Sequence, residues 1–255
     1  MDVIILGSGT AMPLNDRASP SIALIIQGKP VLFEMGPGAL RQMVKAGIDF
    51  KRIKHIFLTH YHPDHTADLI HFLFATRNPS ALKERTPFWL IGPHGLKRLI
   101  GDLQRAYAPW LTLPPGIMRM EELTPDQKAW KDWGGFKITW RPTGHTPGSI
   151  AYRVEETGGG RSVVYTGDTG FCGELVELAR GANLLIAEAA FPEGKEVEDH
   201  LSPSQAGRIA ALAKVDKLLL THFYPECLSG DIGAQCRKTY DGELVVGRDL
   251  LHVRI

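Results

Sequence analysis

Three imidazoles and a carboxylate fall within six consecutive residues, His60-Tyr61-His62-Pro63-Asp64-His65. In an extended or turning backbone His60 and His62 point the same way, while Asp64 and His65 can turn towards a neighbouring point. One such segment can offer ligands to two metal ions a few ångströms apart, the arrangement two-metal hydrolases use. Nitrogen and oxygen donors of this kind suit a borderline ion such as Zn²⁺. Further single donors follow in short loops. His145 lies in Thr143-Gly144-His145-Thr146-Pro147-Gly148-Ser149, Asp168 in Thr166-Gly167-Asp168-Thr169-Gly170, and His222 in Thr221-His222-Phe223-Tyr224-Pro225.

Each donor follows an apolar run with the character of a strand: residues 53–59, 136–140, 162–165 and 217–220. The patterning predicts strands over 3–6, 22–27, 31–33 and 53–59, with helices over 38–46, 66–77 and 94–107. Beyond about residue 135 it predicts strands over 137–141, 150–154, 162–166, 184–187 and 218–221, with helices near 173–180 and 203–214. The last helix carries its own start signal: Ser202 as N-cap, Pro203 at the first position and Gln205 three residues after the cap. The expectation is one domain over 1–255 with pseudo-symmetric halves, about 1–135 and 136–255.

At 255 residues and 44% hydrophobic content the chain can bury a sizeable core. No apolar run approaches the roughly 20 residues of a membrane span, and the opening Met1-Asp2-Val3-Ile4-Ile5-Leu6-Gly7 reads as a strand, not a signal peptide. Cys172, Cys227 and Cys236 are odd in number and lack CxxC spacing, which points to free thiols and a cytoplasmic location. Cys227, five residues after His222, reads as a small packing residue. His55, His71, His94 and His252 read as core or surface histidines.

Taken together, the HxHxDH segment and the three later loops resemble the metallo-β-lactamase superfamily from end to end. The resemblance implies an α/β fold, a four-layer αββα sandwich of two mixed sheets packed face to face. It places His60, His62 and His145 on one divalent metal ion and Asp64, His65 and His222 on a second, with Asp168 bridging. Two divalent ions, two carboxylates and a bridging hydroxide leave about one net positive charge, which suits an anionic ester. Zn²⁺ is the expected metal, and Mn²⁺ or Fe would use the same donors.

Within that superfamily the stretch Leu6-Gly7-Ser8-Gly9-Thr10-Ala11-Met12-Pro13, with Arg17 and Ser19–Ser21, is similar to ribonuclease Z and related phosphodiesterases. So are Val31-Leu32-Phe33-Glu34-Met35-Gly36-Pro37-Gly38 and Ile91-Gly92-Pro93-His94-Gly95-Leu96, though Glu34 stands where the usual acid is Asp. Glu34 is long enough to accept from a ligand histidine. Glu188 and His200 match a carboxylate–imidazole pair that protonates the leaving oxygen in that group. An imidazole held by a carboxylate can deliver such a proton near neutral pH. Asp64, Glu188 and His200 are therefore the candidate catalytic residues.

Ribonuclease Z carries a long arm for the tRNA elbow, and residues 155–161 leave no room for it here. Net charge is +1, and the nearest approach to a basic patch is Lys51-Arg52-Ile53-Lys54. Tight RNA binding needs clustered Lys and Arg. The expected activity is that of a phosphodiesterase on small or cyclic phosphodiesters, with tRNA and membranes not expected as partners. The alternatives are a lactonase, thioesterase or glyoxalase II-like enzyme, an aryl sulfatase-like hydrolase, and a ribonuclease Z-type endonuclease. Phe191, Phe223, Tyr224, Trp110 and Trp133 are candidate pocket walls, and a homodimer is expected by analogy.

Overall fold

The computed structural model describes residues 1–124 and 130–255. Two sheets of seven strands each organise them. The first is built from β1 (Asp2–Gly7), β2 (Ser21–Ile26), β3 (Lys29–Phe33), β4 (His55–Phe57), β5 (Phe88–Pro93) and β6 (Met118–Leu123). The second contains β7 (Trp130–Asp132), β8 (Phe136–Pro142), β9 (Ile150–Glu156), β10 (Ser162–Tyr165), β11 (Leu184–Glu188), β12 (Lys217–Thr221) and β13 (Glu243–Val246). The last strand, β14 (His252–Arg254), returns to the first sheet and pairs antiparallel with β1. In both sheets antiparallel pairing gives way to parallel pairing at the centre, at β3–β4 and at β10–β11. This is the αββα metallo-β-lactamase fold.

The two inner faces close on one apolar layer to which both sheets contribute, from Val3, Ile22 and Phe33 to Ile138, Tyr152 and Leu219. Burying each such side chain contributes about 1.5–3 kcal/mol. Phe33 stacks on Phe57 at 5.2 Å, and Tyr152 of the facing sheet meets both edge-on. The Tyr152 hydroxyl donates to the Leu58 carbonyl at 2.7 Å, which pins the strand leading to His60 against the second sheet. Outside, α1 (Ala39–Lys45), α2 (Pro63–Thr66), α3 (Asp68–Arg77), α4 (Pro79–Glu84) and α5 (Leu96–Ala106) belong to the first half. The second half supplies α6 (Gly173–Ala179), α7 (Pro203–Ala213), α8 (Pro225–Leu228) and α9 (Ile232–Arg237). A second apolar layer lies under each set. Among the described residues no helix is long and apolar enough to cross a membrane.

Several elements differ from the sequence expectation. The run 53–59 becomes a three-residue strand, because the Thr59 N–H leaves the ladder and donates to Glu34 Oε1 at 3.1 Å. The helix expected over 66–77 is split, since the Asp68 N–H donates to the Met35 carbonyl. Strands β5, β6, β7, β13 and β14 were not expected. The division near 135 also has exceptions: β7 precedes it yet joins the second sheet, and β14 follows it yet completes the first. The 155–161 segment is a tight connection, with β9 and β10 paired from Tyr152↔Tyr165 to Glu155↔Ser162.

Candidate metal centre and acid–base pair

Every candidate ligand sits where a strand ends, at one edge of the sandwich. His60 follows β4, His145 follows β8, Asp168 follows β10 and His222 follows β12. His62 is extended (φ −61°, ψ 147°), and Pro63 at the first position of α2 then turns the chain so that Asp64 and His65 face elsewhere. One potential ligand atom each from His60, His62, His145 and Asp168 falls within 4.8 Å of the others, and Asp64, His65 and His222 form a second such group.

Distances within the groups suit metal ligation. His62 Nδ1 lies 3.2 Å from His60 Nε2 and 3.1 Å from His145 Nε2. Nitrogens sharing a tetrahedral Zn²⁺ at 2.0–2.1 Å stand roughly 3.3 Å apart. Asp168 Oδ2 is 3.8 Å from His60 Nε2 and 3.9 Å from His145 Nε2, whereas Oδ1 is 3.2 Å from His65 Nε2 and 3.3 Å from His222 Nε2. Each oxygen of one carboxylate thus faces a different group, as a bridging ligand requires. Asp64 Oδ2 stands 3.7 Å from both His65 Nε2 and His222 Nε2.

Buried polar atoms make the same case. Both ring nitrogens of His65 and His222, and Asp168 Oδ1, have no hydrogen-bond partner among the described residues. Such groups cost about 1–3 kcal/mol each when left unmade. Burial, reinforced by the neighbouring imidazoles, pushes His60 down to about 2, so that it is held as a neutral ligand. His65 is pushed down by burial and pulled up more strongly by Asp168 and Glu34, so its surroundings favour positive charge at this position. The residues fit divalent metal binding.

Outer contacts orient the rings. His60 Nδ1 lies 2.9 Å from Thr59 Oγ1, and His145 Nδ1 lies 3.0 Å from the Asp199 carbonyl. Glu34 Oε1 is 3.7 Å from His65 Nδ1, so the longer acid does approach the ring. Glu34 and His222 both adopt left-handed backbone, φ 64° and 58°, a strain that concentrates at functional sites. Asp199 and Thr59 gave no sequence signal, because they act through a carbonyl and a neighbouring hydroxyl. Asp249 is likewise unannounced. It accepts from the Ser8 and Ala18 N–H groups, while Arg17 donates to Ser8 Oγ and covers the Phe223 ring. The Gly-rich opening is therefore a clamp behind the His222 loop.

Gly36 shows why its motif needs glycine. A Cβ there would stand 2.1 Å from the Asp64 carbonyl oxygen and 2.8 Å from that of Pro20. Gly36→Ala must move the Asp64 backbone, and unfolding in denaturant should show a loss of about 1–3 kcal/mol, typical of overpacking. Metal affinity should fall with it.

His200 Nδ1 donates to Glu188, 3.1 Å from either carboxylate oxygen, and atoms of His200, Asp168 and His222 lie within 4.8 Å of one another. Burial alone would lower the His200 pKa, but the bond to Glu188 and its charge raise it to about 9. The capping box of α7, with both Ser202–Gln205 bonds formed, anchors the chain just after it. Phe191 and Tyr224, stacked at 4.6 Å, flank the imidazole. The other proposed walls lie elsewhere: Phe223 is fully buried, Trp110 packs on Phe74, and Trp133 sits with His55 and Trp89. Burial pushes the Cys227 thiol up to about 12, consistent with packing. His71, His94 and His252 are exposed, and His94 rims a cleft of about 230 Å³ beside His60 and His62.

The Beta-lactamase superfamily domain model matches residues 29–223. The chain belongs to the metallo-β-lactamase superfamily. Its place is in the ribonuclease Z-like branch. It is 31% identical to "Ribonuclease Z" of Mycobacterium sp. (strain KMS), over all of this chain and 96% of that protein. That match runs over 280 positions against the 255 residues here, so the relative carries insertions this superfamily member lacks. The crystal structure of human tRNase Z, short form, superposes with a TM-score of 0.81 at 26% identity, covering 100% of this chain and 99% of that one. The metallo-β-lactamase fold protein YhfI from Bacillus subtilis gives 0.85 at 22% identity, covering 98% and 97%, and shares the fold. This metallo-β-lactamase-fold protein is a metal-dependent hydrolase.

Proposed function

We propose that the chain is a phosphodiesterase of small or cyclic phosphodiesters working with two divalent ions, Zn²⁺ by donor chemistry. His60, His62 and His145 would hold one ion, Asp64, His65 and His222 the other, and Asp168 both. When bound, the ions supply positive charge for the phosphoryl oxygens and lower the pKa of a water. The observation that carries the reading is the Glu188–His200 pair beside those ligands. An alkoxide leaving group needs a proton, and His200 holds one at its free ring nitrogen while Glu188 fixes the other. A thiolate departs without such help, which disfavours the thioesterase reading, whereas a lactone expels an alkoxide and is set apart from the diester by the charge of its ester.

A proton donor works only while protonated. Because Glu188 raises His200 from 6.5 towards about 9, kcat on an alkyl or ribose diester should hold at neutral pH and fall as pH rises through that window. Nearby cations draw the limb towards its lower end. A nitrophenyl diester should lack that limb, as pH–rate profiles of both will show.

The second reading, tRNA 3′ cleavage, is favoured by the full-length match to a ribonuclease Z. Against it stands the five-residue 157–161 connection in place of an arm. Metal-loaded protein should cleave small diesters and process precursor tRNA weakly. Efficient site-specific tRNA 3′ cleavage would instead establish the second reading.

A further inference from the structure

A cavity of about 640 Å³, larger than the cleft beside His60, lies at the opposite end of the sandwich. Its floor is set by the β2–β3 turn, the start of β4 and the turn before β8. Strand β8 begins there at Phe136 and ends near the metal ligands at Pro142, six residues on, a span of roughly 20 Å at 3.3 Å per residue. No ligand of the metal centre reaches it.

Three cations, Lys29, Arg52 and Lys54, line this cavity, the last two from the basic run noted in the sequence. Among the described residues Lys29 and Lys54 have no carboxylate partner within 4.0 Å, and Arg52 meets only Asp49, at 3.7 Å. The one lining carboxylate, Glu84, is engaged by Lys51. Trp133, Phe136 and the His55 ring form an apolar wall, Trp133 and Phe136 each in edge contact with His55 at its centre. Neither nitrogen of His55 has a hydrogen-bond partner among the described residues. Burial and the charge of Lys54 hold this imidazole down at about 4, so at neutral pH it offers one donor and one acceptor.

We infer that this cavity is a second ligand site, taking an anion joined to a flat ring, of the nucleoside monophosphate class. The volume falls in the range of small-molecule sites, about 300–1,000 Å³. Unpaired cations at the rim suit a phosphate, and the aromatic wall with one neutral imidazole suits a base. The site is independent of the hydrolase reading.

Calorimetric titration of AMP into full-length Asp168→Asn protein tests it, since that variant weakens binding at the metal centre. AMP should bind once, and inorganic phosphate or adenosine alone at least about 10-fold more weakly, because each keeps half of the contacts. Lys29→Ala/Lys54→Ala should weaken AMP about 10-fold while leaving diester hydrolysis and the melting temperature of otherwise native protein unchanged. His55→Phe, which keeps the ring packing, should weaken it too. The inference is overturned if AMP shows no binding to Asp168→Asn protein, or if the lysine and His55 variants bind it as tightly as their parent.

Discussion

Asp168→Ala is expected to remove both the bridge and the metal stoichiometry, taking the protein from about two ions per chain to one or none. The two oxygens of this carboxylate face different imidazole groups at 3.2–3.9 Å, so no other side chain can replace it. Outer-shell partners of metal ligands typically cost 10–100-fold when lost. A shared first ligand should cost more, at least about 10³-fold in kcat/KM. The fold should survive, because the ligand loops lie at the sheet edge and the apolar layers beneath are untouched. Metal analysis of the exhaustively loaded wild type returning a single ion would contradict the two-ion assignment.

His200→Ala is expected to leave metal content unchanged and to lower kcat by about 10²–10⁴ on a diester with an alkyl or ribose leaving group, the range for general acid–base catalysis. On a nitrophenyl diester the loss should be much smaller, because nitrophenolate leaves unprotonated. Glu188→Gln should reproduce part of the loss, since it removes the charge that raises the His200 pKa. Equal losses on both leaving groups would make His200 a positioning residue. Glu188 also accepts from the Thr169 N–H at 2.6 Å, so part of the Glu188→Gln effect will come through the Asp168 loop.

The grouping of the candidate ligands was more legible in the sequence than the individual strands. Candidate metal ligands announce themselves because such chemistry demands particular side chains in fixed loops, as in residues 60–65. The capping box at Ser202 was equally legible, since its two bonds are local. What escaped was non-local. Strand β14 has three residues and exists only because β1 pairs with it from the other end of the chain. Met118-Arg119-Met120-Glu121-Glu122-Leu123 carries too many charges to read as a strand, yet β5 templates it along six residues. Thr59 left its strand for the side chain of Glu34, a contact that sequence spacing cannot show. Asp199 and Asp249 escaped for the same reason, as their partners lie far away in the chain or are backbone atoms.

The most direct test of the phosphodiesterase account is kcat/KM of the metal-loaded protein on a phosphodiester, a lactone and a thioester measured side by side. The account predicts that the diester is preferred over both, and over the thioester, whose thiolate leaves unprotonated, by at least about 10²-fold, the smaller end of what one positioned proton donor contributes. A lactone or thioester turned over faster than any phosphodiester would contradict it.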